Sequence, residues 1–247
     1  TWSDAQAYCK ASYTDLAIIQ NDDDVVQIQN EIQGKQFKSS AWIGLYNDIN
    51  SWRWSLGNVP LGSFNDWLFI QPKNEYGNDE CAVIWGMGWI DWTCSELISF
   101  VCFDETKTGD QRYIYVTDTM AWLDAQKYCR HHYTDLASSR DATENSVLMN
   151  LVPDWTWFGL FRDGWKWVDK TVFSTIMWMP GNPNNALKNE NCGYLNNSQA
   201  ADALCSNIMP FICYVDPPLK KQQAIKIKVQ SNQDPHDPAL KVAILEQ

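Results

Sequence analysis

Eight cysteines, and the way their spacing repeats, constrain this 247-residue chain more than any other feature. Cys81, Cys94 and Cys102 lie 13 and then 8 positions apart, and Cys192, Cys205 and Cys213 repeat the same two intervals. One further cysteine precedes each triplet, Cys9 and Cys129. Zinc sites use short pairs such as C-x2-C, and none is present. Four cysteines per unit, twice over, read as disulfides and hence an oxidising, extracellular setting. Within each unit the spacing leaves three connectivities open.

The repeat extends beyond cysteine. "SDAQAYCKASYTDLA" is answered by "LDAQKYCRHHYTDLA" at an offset of 120, "WIGLYND" by "WFGLFRD", "WRW" by "WKW" and "FVC" by "FIC". The offset falls to 111 at Cys81 and Cys192, so the second copy has shorter loops. A period this long indicates two whole domains rather than a solenoid. The join falls in the polar stretch from Asp104 to Gln111. In each copy a short helix comes first, with Ala5, Tyr8 and Cys9 on one face. A second helix is capped by Asn21, with Asp22 to Asp24 at the positive end of its dipole and Val25, Ile28 and Ile32 on its inner side. Its counterpart is capped by Asp141 with Glu144 three residues on. Short apolar and aromatic runs follow ("AWIGLY", "SWRWS", "CAVIW", "SFVCF") and read as strands between long amide-rich segments. Helices first and strands later is an α+β arrangement.

A net charge of −11 and a pI near 4.6 argue against nucleic-acid binding, which rests on Lys and Arg meeting phosphate. No apolar run approaches the length of a membrane span. No nucleophile elbow, phosphate loop or metal-ligating histidine pattern points to an enzyme. His131, His132 and His236 read as surface residues, and Trp85, Trp89 and Trp92 as core or as sugar-stacking surfaces.

Two helices, then "WIGL", then "WxW", then cysteines spaced 13 and 8, in that order and twice, resemble the C-type lectin-like domain. The resemblance implies two such domains in tandem, residues 1–104 and 111–216. Each has two helices, short antiparallel sheets, a long irregular loop region and two disulfides. The implied pairs are Cys9–Cys102, Cys81–Cys94, Cys129–Cys213 and Cys192–Cys205. The second copy carries "QRYIYVTDTM" ahead of its first helix, a strand that such domains pair with their last strand. The first copy begins without one, so it is expected to present a bare strand edge. Residues 217–247 lie outside the resemblance. "AIKIKV" there reads as an edge strand and "DPALKVAILEQ" as the start of a helix, with Asp237 as cap and Pro238 in the first turn.

Sugar-binding members of that family hold calcium through a Glu/Gln-Pro-Asn/Asp triplet around a cis proline, a glutamate and a later Asn-Asp pair. In the first copy the triplet is Gln71-Pro72-Lys73 and the pair is Ile90-Asp91. An ammonium cannot ligate a cation, so no calcium is expected there, and Asp79 and Asp91 read as ordinary carboxylates. In the second copy the equivalents are Asn182-Pro183-Asn184, Glu190 and Ala201-Asp202. Asn182, Asn184, Glu190 and Asp202 still offer side-chain oxygen, but one charge and one ligand fewer than the family pattern, so any calcium binding there is expected to be weak. Pro72 and Pro183 are the candidate cis prolines. Asn196-Asn197-Ser198 is a glycosylation sequon.

These residues lead to the expectation of a non-catalytic extracellular recognition protein, secreted or the ectodomain of a membrane protein. Its partner would be a glycan or glycoprotein, bound through the second domain with weak or no calcium dependence. The alternative is a lectin-like module that binds a protein without metal.

Overall fold

Each repeat opens with the helices its sequence specifies. The computed structural model describes residues 1–34, 40–173 and 176–215; the Asp22 and Ile32 side chains, His236 and the expected strand and helix of the tail lie outside the described part. Helix α1 (Trp2–Ser12) is capped by the Thr1 hydroxyl, which accepts from the Asp4 amide, and buries Ala5 and Cys9. A two-residue strand β1 (Asp15–Leu16) leads to α2 (Asp22–Gly34), where the Asn21 side chain accepts from the Asp24 amide and Val25 and Ile28 pack inward. Strands β2 (Ala41–Asn47), β3 (Arg53–Trp54), β4 (Cys81–Trp85), β5 (Gly88–Trp92) and β6 (Ile98–Phe103) complete the first copy. The second copy repeats the order with β7 (Tyr113–Met120), α3 (Trp122–His132), β8 (Asp135–Leu136), α4 (Ala142–Leu151), β9 (Thr156–Phe161), β10 (Trp165–Trp167), β11 (Cys192–Asn196), β12 (Gln199–Ala203) and β13 (Cys213–Tyr214). Asp141 caps α4, accepting from the Thr143 and Glu144 amides.

Apart from the hairpins β4–β5 and β11–β12, the strands do not pair within their own copies. The "WKW" strand β10 and the hairpin β11–β12 of the second copy join β2 of the first, giving the order β10-β2-β11-β12. Reciprocally, β3 and β4 of the first copy pair with β9 of the second. Strand β6 pairs with β7 and β8, and β13 pairs with β1. The copies have exchanged their second halves. The result is a central packing unit of one continuous stretch, β3 to β9, with its two halves in reversed chain order. An outer unit is assembled from α1–β2 and β10–β13, and the described residues through Val215 cluster as one compact body. The repeat boundaries 1–104 and 111–216 therefore delimit sequence copies, and the packing runs across them.

Two expected disulfides change partners for the same reason. Leu16 is in register with Cys213, beside α1, and Cys102 is in register with Leu136, beside α3. Cys9 is consequently bonded to Cys213 and Cys102 to Cys129, at Cα separations of 5.4 and 5.2 Å, in place of Cys9–Cys102 and Cys129–Cys213. The short-range bridges are Cys81–Cys94 and Cys192–Cys205. The bare edge expected on the first copy is not found there, because β7 covers β6.

The cores confirm this division. Trp54, Trp89, Val101, Leu148, Phe158 and Leu160 form one cluster of the central unit. Ile19, Ile43, Leu45, Trp167, Leu195 and Ala200 form one of the outer unit. Each cluster draws on both copies, so pulling the copies apart would expose side chains such as Trp54 and Phe158, each worth about 1.5–3 kcal/mol when buried. Close backbone approach is built in as well. A Cβ on Gly44 would lie 2.8 Å from Val168 and 2.9 Å from the Leu16 carbonyl oxygen.

Candidate functional site: the paired long loops

Both long loops are held open by one aspartate placed on the last inner strand. In the outer unit the Asp202 carboxylate accepts from the amides of Asn184 (3.0 Å) and Asn185 (2.6 Å), just after the cis Asn182–Pro183 peptide. The Asn185 side chain then accepts from the Glu190 amide at 2.9 Å, and a Glu190 oxygen accepts from Leu187 at 3.2 Å. In the central unit Asp91 accepts from Lys73 (2.9 Å) and Asn74 (2.6 Å), just after the cis Gln71–Pro72 peptide. The Asn74 side chain accepts from Asp79 at 3.1 Å. The turn before each proline also matches. Gly181 takes the left-handed conformation in one loop (φ 81°), and Ile70 is forced into it in the other (φ 64°).

The loops meet. The Asn185 side-chain amide donates to the Asn74 backbone carbonyl oxygen at 2.6 Å, and a Cβ on Gly77 would come within 3.1 Å of Pro183. Arg162, 3% exposed, anchors the junction: it donates to the Asn74 side chain (2.8 Å), the Asp79 carbonyl (3.1 Å) and the Asn47 side chain (2.5 Å). Asn47 stands at the position equivalent to Arg162 in the other copy, so the two equivalents bond where the chain crosses between units. Burial pushes Asp79 up to about 6, with Asp91 adding to the rise, and pushes Glu80 up to about 7. Burial raises Asp91 too, against the amides it accepts from, and lowers Arg162.

The four candidate ligand residues of the outer loop are brought into one loop-and-strand neighbourhood, with Asp202 and Glu190 buried, Asn182 half-buried and Asn184 exposed. Each already has an oxygen accepting within the loop: Asn184 from Ala186 at 2.8 Å, and Asn182 from the Asn184 amide at 3.5 Å. Ala201 is 1% exposed and contributes no oxygen. Among the described residues no group of three or more His, Cys, Asp or Glu is gathered as a metal cluster. Asn196 closes β11, and its side-chain amide donates to the Ser40 hydroxyl at 3.2 Å. Trp89 is fully buried, Trp92 packs edge-on against Trp155, and Trp85 is half-buried. The sequence did not single out Arg162. Its only signal was an arginine in "WFGLFRD" where the other copy has asparagine.

The family model for the lectin C-type domain matches residues 1–103 and 118–215. C-type mannose receptor 2 of Mus musculus is 25% identical over 260 residues, covering 86% of this chain and 17% of the receptor. A C-type lectin of Cerberus rynchops is 35% identical over 116 residues, 39% of this chain and 71% of that lectin. Asialoglycoprotein receptor 2 of Rattus norvegicus is 30% identical over 108 residues, 41% of this chain and 35% of the receptor. The chain thus spans a small part of the mannose receptor's length.

Proposed function

Because this chain belongs to the C-type lectin domain family, we propose that it is a non-catalytic, extracellular module that recognises a glycan or glycoprotein through the loop around Asn182 and Asn184. The observation that carries this reading is the outer loop itself. Asp202 holds the loop in shape from below, and the Asn182 and Asn184 amides are left toward the surface, where sugar hydroxyls can exchange hydrogen bonds with them. Four disulfides support an extracellular setting, and no described helix is long and apolar enough to cross a membrane.

Calcium enters this reading only weakly. A calcium ion takes six to eight oxygens, and its affinity follows ligand charge. Asn182, Asn184, Glu190 and Asp202 carry two formal charges between them, and an ion would compete with amide hydrogens for their oxygens. The donor set fits no more than a weak site. In the central loop Lys73 stands where a ligand would, so no ion is assigned there.

A glycan array run with calcium and again with chelator tests the proposal. Binding of the larger array glycans that survives chelator, or falls only modestly, and is weakened in Asn182→Ala/Asn184→Ala, is the expected result. A protein ligand bound equally well with chelator, with no glycan bound in either condition, would favour the second reading, a metal-independent protein-binding module. The engagement of the candidate ligands in internal hydrogen bonds speaks for that reading.

A further inference from the structure

A second polar site lies in the central unit, away from the residues just described. An open cleft of about 470 Å³ lies between α4 and the loop ahead of β4, bounded by Phe64, Asp66, Gly86, Asn145, Ser146 and Met149. That volume falls within the roughly 300–1,000 Å³ of small-molecule sites. Its carboxylate is held by a chain of buried groups. The Asn145 amide donates to an Asp66 carboxylate oxygen at 2.7 Å. The Asn145 oxygen in turn accepts from the Trp89 indole (2.8 Å) and the Ser139 hydroxyl (2.9 Å). Trp89 and Ser139 are 0% exposed and Asn145 6%. The Asp66 backbone is clamped as well. Its carbonyl accepts from the Trp89 amide at 2.8 Å, and a Cβ on Gly88 would strike that oxygen at 2.7 Å.

The repeat supplies an internal control. In the outer unit the same backbone contacts recur, with the Ala200 amide donating to Met177 at 3.0 Å and a Trp178–Ala200 bridge matching Trp67–Trp89. Yet Met177, Ala200, Val25 and Ile19 stand where the central unit has Asp66, Trp89, Asn145 and Ser139. Ile19, Val25 and Ala200 pack there as plain core. The fold is thus built with an apolar set at these places. A buried polar network is costly unless every member is satisfied, so Asp66, Asn145, Ser139 and the Trp89 indole N–H appearing together, from both copies, need another reason. What the network does is fix one carboxylate at the wall of a cleft, the supporting arrangement a binding site requires.

We propose that this cleft is a metal-independent subsite for a neutral sugar residue. The proposal takes its ligand class from the glycan-recognition reading but uses a different surface. The lining has one carboxylate, amides and a hydroxyl to pair with ligand hydroxyls, and Phe64 and Met149 to meet an apolar sugar face. It has no cationic side chain, which disfavours anionic ligands.

The test uses the full chain in chelator, titrated with methyl glycosides of glucose, galactose, mannose and N-acetylglucosamine and read by ligand-observed NMR. Asp66→Asn keeps an acceptor for Asn145 but removes the charge. Gly86→Leu fills the mouth from a position where a Cβ meets no atom within 4 Å, so it leaves the core network alone. At least one glycoside should bind, about tenfold or more weakly to either variant, as loss of a charge-assisted hydrogen bond or of access implies. Asn182→Ala/Asn184→Ala should bind it unchanged. If chelator-resistant binding is untouched by Asp66→Asn and Gly86→Leu, or is lost in the Asn182/Asn184 variant instead, the subsite is wrong and the outer-loop reading stands. If glycosides bind only with calcium, the subsite is likewise wrong. If no glycoside binds under any condition, both readings fall.

Discussion

The two long loops share a frame and differ in what fills it. In each, an aspartate from the inner hairpin receives two amides after a cis proline, and an asparagine receives a third amide five residues on. The frame stands equally well around Lys73 and around Asn184. Hydrogen bonds donated by backbone amides to Asp91 and Asp202 hold the loop, so its shape by itself is no sign of a bound ion. What distinguishes the loops lies inside: the central one surrounds Arg162 with Asp79, Glu80 and Asp91 nearby. The outer one has no such cation and leans on its neighbour through Asn185 and Asn74.

The comparison is broken most directly at the bridges that lock the exchange. Cys9 and Cys213 are 204 positions apart, Cys102 and Cys129 only 27. In the chain-entropy model these closures are worth about 5 and about 3.5 kcal/mol. Replacing Cys9 and Cys213 by serine should therefore cost the outer unit more than replacing Cys102 and Cys129 costs the central one. Denaturant melts of the two double variants check the order, and non-reducing peptide maps check the pairs. A Cys9–Cys102 peptide would show that the copies fold in succession, each on itself.

Arg162 tests the junction itself. It is nearly fully buried and spans Asn47, Asn74 and the Asp79 carbonyl, so Arg162→Met removes a donor from each of these acceptors and leaves three carboxylates without their cation. Removing one side of a buried charge network costs about 3–5 kcal/mol. A loss near the lower end is expected, because the partly buried carboxylates can take up protons. The central loop should loosen first, and because Asn74 carries Asn185, the outer loop should follow. Amide exchange at Asn74 and Asn185 reads both. Faster exchange at Asn74 alone would mean that the loops are independent.

Much of this was legible in the residues, and the rest was hidden for identifiable reasons. Helix caps are local, so Asn21 and Asp141 announced α2 and α4 from a few neighbouring positions. The order of helices, "WIGL", "WxW" and spaced cysteines, met twice, carried the resemblance to the family. Which copy a strand pairs with is another matter. Because β2 and β9 present nearly the same face, as do β3 and β10, the residue pattern fits a strand to its own copy or to the other equally well. The choice is made at the crossovers, Asp48–Trp52 and Arg162–Gly164. There Arg53 pairs with Asp163, and Lys166 pairs with Asp48 at 2.7 Å. These contacts join positions more than a hundred residues apart, which no local reading reaches. The outer disulfides then follow the strands. The Asp66 network was missed for a similar reason, since its members come from three separated segments.

The smallest expected effect separates the two loops by pH. Glu80 rises to about 7 and Asp79 to about 6 because both are buried, Asp79 also facing Asp91 and both lying near Arg162. In the unfolded chain these groups titrate near their ordinary values, around 4. Between about pH 4 and 7 the folded state thus binds protons that the unfolded state does not, and stability from these two groups falls as pH rises through that window. Acidification from pH 7.5 to 5.5 should therefore raise the melting temperature, opposite to the usual acid loss. The outer loop has the neutral Asn191 where the central loop has Glu80, so Glu80→Asn gives the central loop its neighbour's residue and should flatten most of the profile. Melting curves of both proteins across that range check it. A wild-type melting temperature that falls on acidification, or a Glu80→Asn profile as steep as the wild type, would place the carboxylates in water and remove the contrast between the loops.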